Sequence, residues 1–223
     1  MHNKSLEEWL HPNDDQTSTR SLSLIQRLNI AIEVASTIEY LYNYCQPSIA
    51  HGDLKPSNVL LDEEMVSHAG DFGLARFLSI SQNQSSSMGV IGTIGYVAPK
   101  YGMSTKISKV GDVYNFGILL LEMITGKAPI DSMFKDNFTI HQLVKTRLPE
   151  RVTDIIDPSM LQEVQEVENS KARNMRKGVG VLESLLAIAE VGVACSMKSP
   201  SERIEMKEVA AKLYAIRDKF LYQ

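Results

Sequence analysis

Residues 110–124 constrain this chain more than any other stretch. Val110, Val113, Tyr114, Gly117, Leu120 and Met123 recur at helical spacing, and apolar residues fill much of the remainder. A helix that is apolar nearly all round has no face for water and belongs at the centre of a domain. Gly126 is its predicted C-terminal stop, with Pro129 beyond it. The longest apolar run in the chain, Phe116 to Ile124, is interrupted by Gly117 and Glu122 and falls short of the roughly 18 residues that a membrane span needs.

The flanking sequence supplies the elements that would surround such a helix. Ser5 to Leu10 predicts a short helix with Ser5 as N-cap and Glu8 completing a capping box. His11 to Arg20 is polar, holds Pro12 and reads as a loop. From Leu22 to Cys45 the apolar positions Leu24, Leu28, Ala31, Ala35, Ile38 and Leu41 predict one long buried helix, ended by Pro47. Further helices are expected over Thr139–Leu148, Val181–Met197 and Glu205–Leu221, with a polar connection from Asp157-Pro158 to Gly180. Val59–Asp62 and Val66–Gly70 predict a hairpin turning at Glu63-Glu64, with Asp53 at one end and Asp71 at the other. Leu74 to Ser108 is long and irregular, and Ser79, Ser81, Ser85, Ser86 and Ser87 within it suit either phosphorylation or a solvated loop. Its glycines at 89, 92 and 95 lack the spacing of a phosphate cradle.

Composition narrows the class of function. At 223 residues and 43% hydrophobic, the chain can build a real core as one domain. A net charge of −4 without a Lys/Arg-rich run argues against a nucleic-acid partner. Cys45 and Cys195 stand far apart and are expected as buried thiols in a reducing compartment. Met1 to Leu10 lacks the apolar core of a signal peptide, so the chain is expected to be soluble, without a membrane span.

The chemistry concentrates in His51-Gly52-Asp53-Leu54-Lys55-Pro56-Ser57-Asn58 and in Asp71-Phe72-Gly73. Together they read as a phosphoryl-transfer site: an acid near the nucleophile, a cation for phosphate, and an acid and an amide for metal. His51 is expected to be a packed structural histidine.

These motifs, with Ala98-Pro99 and Asp112-Val113-Tyr114-Asn115-Phe116-Gly117, have the order and spacing of the eukaryotic protein kinases. Gly70–Arg76, Gly92–Pro99 and Pro200–Arg203 are closest to plant leucine-rich-repeat receptor-like Ser/Thr kinases, and the resemblance covers nearly the whole chain. It implies that Asp53 is the catalytic base and that Lys55 supports the transferred phosphate. It implies ATP and Mg²⁺ as cofactors, held through Asn58 and Asp71, which supply the hard oxygen ligands Mg²⁺ prefers. Residues 71–100 would be the activation segment, with Thr93 and Tyr96 receiving the substrate peptide, and Asp112 would brace the catalytic loop from below. Protein substrates or receptor complexes are the implied partners. The implied location is cytoplasmic, at the inner face of the plasma membrane for members of that family.

Three departures qualify the resemblance. The β-rich N-lobe, with its Gly-rich loop and strand lysine, has no counterpart in these residues, so a mainly α C-lobe (1–223) with one or two short hairpins is expected. Gly52 stands where most members carry Arg, which removes a cation for a phosphorylated loop or simply eases a turn. Lys100 replaces the Glu that would pair with Arg203. The expected function is a Ser/Thr kinase domain of weak or no activity by itself. The alternative is a pseudokinase-like binding module or a truncated gene product without catalysis.

Overall fold

A computed structural model describes residues 1–12, 21–78, 92–98, 107–135, 138–162 and 175–222, with the side chains of 175–179 left aside. Its centre is α3 (Lys109–Thr125), in which every residue from Asp112 to Thr125 is buried. Ser108 caps the start by accepting from the Gly111 N–H, and Gly126 ends the helix in the left-handed region at φ 64°. Glycine recurs where α3 meets α6 (Met175–Cys195). A Cβ on Gly117 would lie 2.7 Å from Cys195 Cβ, and one on Gly192 would lie 2.6 Å from Leu121 Cδ2. The two helices therefore touch backbone to side chain, a spacing that any larger residue would break.

Around this axis pack α2 (Leu24–Asn43) and α7 (Met206–Leu221), with the shorter α1 (Leu6–Leu10) and α4 (Ile140–Lys145). Residues 158–162 add a short helical turn, α5. Leu28, Ala31, Ala35 and Ile38 of α2, Phe116, Leu119 and Leu120 of α3, Leu185 of α6 and Leu213 of α7 belong to one core. Burying such side chains contributes about 1.5–3 kcal/mol each before chain entropy is subtracted. The buried Arg27 ties three parts of the chain together. It donates to Leu22 O at 3.0 Å, to Met123 O, and to Asp157 Oδ2 at 2.6 Å.

Two small antiparallel sheets complete the fold. In the first, β2 (Val59–Leu61) pairs with β3 (Ser67–Ala69), Leu60 opposite His68. This is the expected hairpin. In the second, β1 (Ile49–Ala50) pairs with β4 (Arg76–Phe77).

Several boundaries differ from expectation. The α1 capping box is not completed: the Ser5 side chain makes no cap hydrogen bond, its backbone bridges Leu60, and Glu8 pairs with Lys4 at 2.7 Å. The long second helix is shorter at both ends, starting under a capping box of Ser23 and Gln26. The fourth helix likewise stops at Lys145. β4 falls in a stretch read as irregular, since two residues are too few to show a period. The polar connection after Asp157 is helical at 158–162 and again from Met175, while 163–174 lie outside the described residues. Cys195 is buried, but Cys45 is only partly so. Among the described residues, no helix is long and apolar enough to cross a membrane.

Candidate active site

The loop from His51 to Asn58 is fixed from beneath by α3. Asp112 lies one turn into that helix and is 1% exposed. Its Oδ2 accepts the His51 N–H at 2.6 Å and its Oδ1 accepts the Gly52 N–H at 2.8 Å. Tyr42 of α2 donates its hydroxyl to the same carboxylate at 3.1 Å. Burial pushes the Asp112 carboxyl above its usual range, against the pull of those three donors. The sharp turn this requires sits at Gly52, whose φ is 82°. A Cβ there would also come within 2.7 Å of Ile107 Cδ1, so the backbone demand for glycine is real.

Above the turn, the hydrogen bonds converge on Asp53. Oδ1 accepts from the Thr93 N–H at 2.9 Å and from the Thr93 hydroxyl at 2.7 Å. Oδ2 lies 3.1 Å from Lys55 Nζ, and Lys55 Nζ also donates to Thr93 Oγ1 at 2.8 Å. Burial alone would raise the Asp53 pKa; the bonds from Thr93 and Lys55, with the lysine charge, outweigh it and hold the carboxyl below its ordinary range. Asp53 is therefore a carboxylate at neutral pH, suited to accepting and aiming a hydroxyl more than to storing a proton.

Asn58 closes the loop on itself. Its amide nitrogen donates to Asp53 O at 2.8 Å and approaches Asp53 Oδ2 at 3.3 Å. That commits the nitrogen end to the loop and leaves the oxygen as the end a hard cation can use. The hairpin then brings Asp71 alongside. Gly70 N donates to Asn58 O at 2.7 Å, so Asn58 and Asp71 stand together at the open end of the hairpin. Asp71 has φ 54°, a left-handed conformation, and its Oδ1 takes the Gly73 N–H at 3.2 Å. Its side chain faces solvent. The donor set, one amide oxygen and one carboxylate, fits a Mg²⁺ that keeps several of its waters.

His51 packs as expected. It is fully buried, its Nε2 lies 3.0 Å from Gly70 O, and its ring sits 4.9 Å from the Phe72 ring. It thereby couples the loop to the Asp71 turn without facing the reaction.

A second group on α3 was not legible as functional. Glu122 is 1% exposed, and its carboxylate accepts from the Tyr96 hydroxyl and lies 2.7 Å from His11 Nε2. Tyr96, expected to face a peptide, is buried and turned into this contact. The available signal was a lone charge inside an apolar helix, since a buried carboxylate demands partners. Arg203 donates to the carbonyls of Met197, Val110 and Lys198 and stacks over the Tyr114 ring at 5.0 Å. Lys100, Pro99 and Ser79 to Ser87 lie outside the described residues.

The sequence that builds this site is similar to those of known proteins. The family model described as protein kinase domain matches residues 1–215. A probable leucine-rich-repeat receptor-like serine/threonine-protein kinase of Arabidopsis thaliana is 47% identical over 99% of this chain and 22% of its own length. The receptor kinase-like protein Xa21 of Oryza sativa subsp. japonica is 39% identical over 97% of this chain and 21% of its own length. The receptor-like kinase EFR of Arabidopsis thaliana is 41% identical over 97% and 20% respectively. The chain thus spans about a fifth of the length of the curated relatives it matches.

Proposed function

The chain belongs to the protein kinase family, among the plant leucine-rich-repeat receptor-like Ser/Thr kinases, and from that premise we propose that its loop transfers the ATP γ-phosphate to a Ser or Thr hydroxyl. Asp53 receives and aims the hydroxyl, and Lys55 neutralises charge on the moving phosphate. Asn58 and Asp71 would hold Mg²⁺, which would supply positive charge to the phosphates. Residues 71–100 act as the activation segment. The observation that carries this reading is the cluster itself: one carboxylate, Asp53, with a cation and a hydroxyl already on it within 3.1 Å. The Thr93 hydroxyl, which donates to Asp53 Oδ1 at 2.7 Å, supports a carboxylate placed to receive an acceptor hydroxyl.

The substrates are proteins, alone or within receptor complexes, and the setting is the cytoplasmic side of the plasma membrane. By itself the 223-residue chain transfers phosphate slowly or not at all, because a Gly-rich loop and a strand lysine are not among its motifs. Each such charge-assisted contact to phosphate is worth about 1.5–3 kcal/mol. A binding module without catalysis is the second reading. Phe72 and Phe77, large apolar side chains exposed beside the site, favour it.

Thermal unfolding with and without millimolar Mg·ATP separates the two. A raised midpoint that Asp71→Asn removes supports the phosphoryl-transfer reading, and an unchanged midpoint supports the binding module. Phosphate transfer to a generic protein substrate is expected near background. Robust turnover that Asp53→Asn abolishes would uphold the role of Asp53 and overturn the low activity.

A further inference from the structure

Three elements distant in sequence meet at Glu122. His11 ends α1, Glu122 lies in the last turns of α3, and Tyr96 belongs to the same short segment as Thr93. His11 Nε2 is 2.7 Å from Glu122 Oε1, and the Tyr96 hydroxyl donates to Oε2. One carboxylate therefore ties the α1 terminus to the segment that contacts Asp53. The residues just before α1 are anchored to the hairpin, Leu61 N donating to Lys4 O at 2.8 Å, and Trp9 Nε1 of α1 donates back to Asn3 O at 2.8 Å.

The exposures of the two side chains differ in a way that matters. Glu122 is 1% exposed and His11 30% exposed. The carboxylate cannot turn to water, whereas the imidazole exchanges protons with it. A buried anion with a charged partner is held tightly, and with a neutral partner it is held by a hydrogen bond alone. We propose that His11, Glu122 and Tyr96 form a latch in which the charge on His11 sets how firmly the Thr93 segment is held against Asp53.

The surroundings favour the charged state. The hydrogen bond to Glu122 raises the His11 pKa, burial opposes it, and the charges of Glu122, of Glu7 on α1 and of Asp157 add to the rise. Asp157 is shared with Arg27 of α2, which offsets part of its effect. Because the folded value is raised, the stabilisation is complete below the unfolded value of about 6.5 and is lost as pH climbs through the folded one. Glu122, itself raised by burial, shifts stability in the same direction. Comparison with a variant at His11 isolates the histidine.

The latch stands on geometry alone; its consequence for phosphate transfer rests on the kinase reading. The test is NMR titration of the 223-residue chain from about pH 6 to about pH 8, the span in which a histidine switches. The signals followed are His11 Cε1–H, the Thr93 amide and the Tyr96 ring. The expected result is one shared midpoint above that of a free histidine, absent from Thr93 and Tyr96 in His11→Gln, which keeps a donor for Glu122. A Thr93 amide that stays flat while His11 titrates overturns the latch, as does a Thr93 midpoint that survives in His11→Gln. Glu122→Gln provides a second variant, in which the His11 midpoint must fall. A shared midpoint in a chain that Mg·ATP fails to stabilise supports the latch and counts against the kinase reading only.

Discussion

Asp112 and Glu122 occupy one helix, ten positions apart, and both are 1% exposed. Their partners differ in kind. Asp112 is held by two backbone N–H groups and a tyrosine hydroxyl, donors that keep their protons at any physiological pH. Glu122 is held by a tyrosine hydroxyl and an imidazole, and the imidazole titrates. The first arrangement fixes a loop regardless of conditions. The second fixes a segment to a degree that conditions can change. The same buried charge, on the same scaffold, serves as a rivet at one end and as an adjustable tie at the other.

The comparison breaks most easily at the rivet. Asp112→Ala strands the N–H groups of His51 and Gly52 inside the protein, while the Tyr42 hydroxyl keeps the Lys109 carbonyl at 3.0 Å. Leaving a buried group unsatisfied costs about 1–3 kcal/mol each, so a loss of about 3 kcal/mol or more is expected by chemical denaturation. Asp112→Asn retains one acceptor and should cost less than half as much. Equal losses for the two variants would mean that Asp112 acts through packing and not through its accepted hydrogen bonds.

The tie should yield more gently. In Glu122→Gln the amide oxygen still accepts from Tyr96 or His11, and no buried charge is left unpaired. A loss of about 1–2 kcal/mol is expected near pH 6, where His11 is charged. The loss should shrink toward pH 8, because the His11 charge that the carboxylate compensates is gone there. The Asp112→Asn loss should stay constant over that range. Parallel pH profiles for the two variants would erase the distinction between the sites.

How much of this was visible beforehand follows from the same physics. The central helix, its glycine stop and the hairpin were legible because periodicity and turn residues are local signals. The grouping of Asp53, Lys55 and Asn58 was legible because their spacing is compact, and the hairpin brings Asp71 alongside Asn58. Glu122 was read only as an interruption of an apolar run. Its meaning depends on His11, 111 residues away, which sat in a stretch read as loop. The β1–β4 pairing was hidden for a related reason: two-residue strands have no period, and their partner is set by the fold. Ser5 matched a capping box in sequence, yet its side chain makes no cap and its backbone bridges the distant Leu60. Local patterns state what a segment can do, and long-range contacts decide which option is taken.

Arg203 extends the comparison to the opposite charge and carries the smallest expected effect. Like Asp112, it is satisfied by neutral backbone groups, here three carbonyls, together with the face of Tyr114. Among the described residues it pairs with no carboxylate, and burial lowers its pKa. Family resemblance sets an acidic residue at position 100, where this chain has Lys100. If position 100 lies near Arg203, two cations share one neighbourhood, and a lysine can relieve that by extending its charge outward. Lys100→Glu would then replace a mild repulsion with an ion pair. An ion pair made by a half-buried arginine such as Arg203 is worth about 0.2–1 kcal/mol after solvent screening, which corresponds to a rise of roughly 0.5–4 °C in melting temperature for a chain of this size. The gain should fade in high salt, as attraction between partly exposed charges is screened. An unchanged or lower melting temperature would show that the three carbonyls already meet every need of Arg203, making it a rivet of the Asp112 kind.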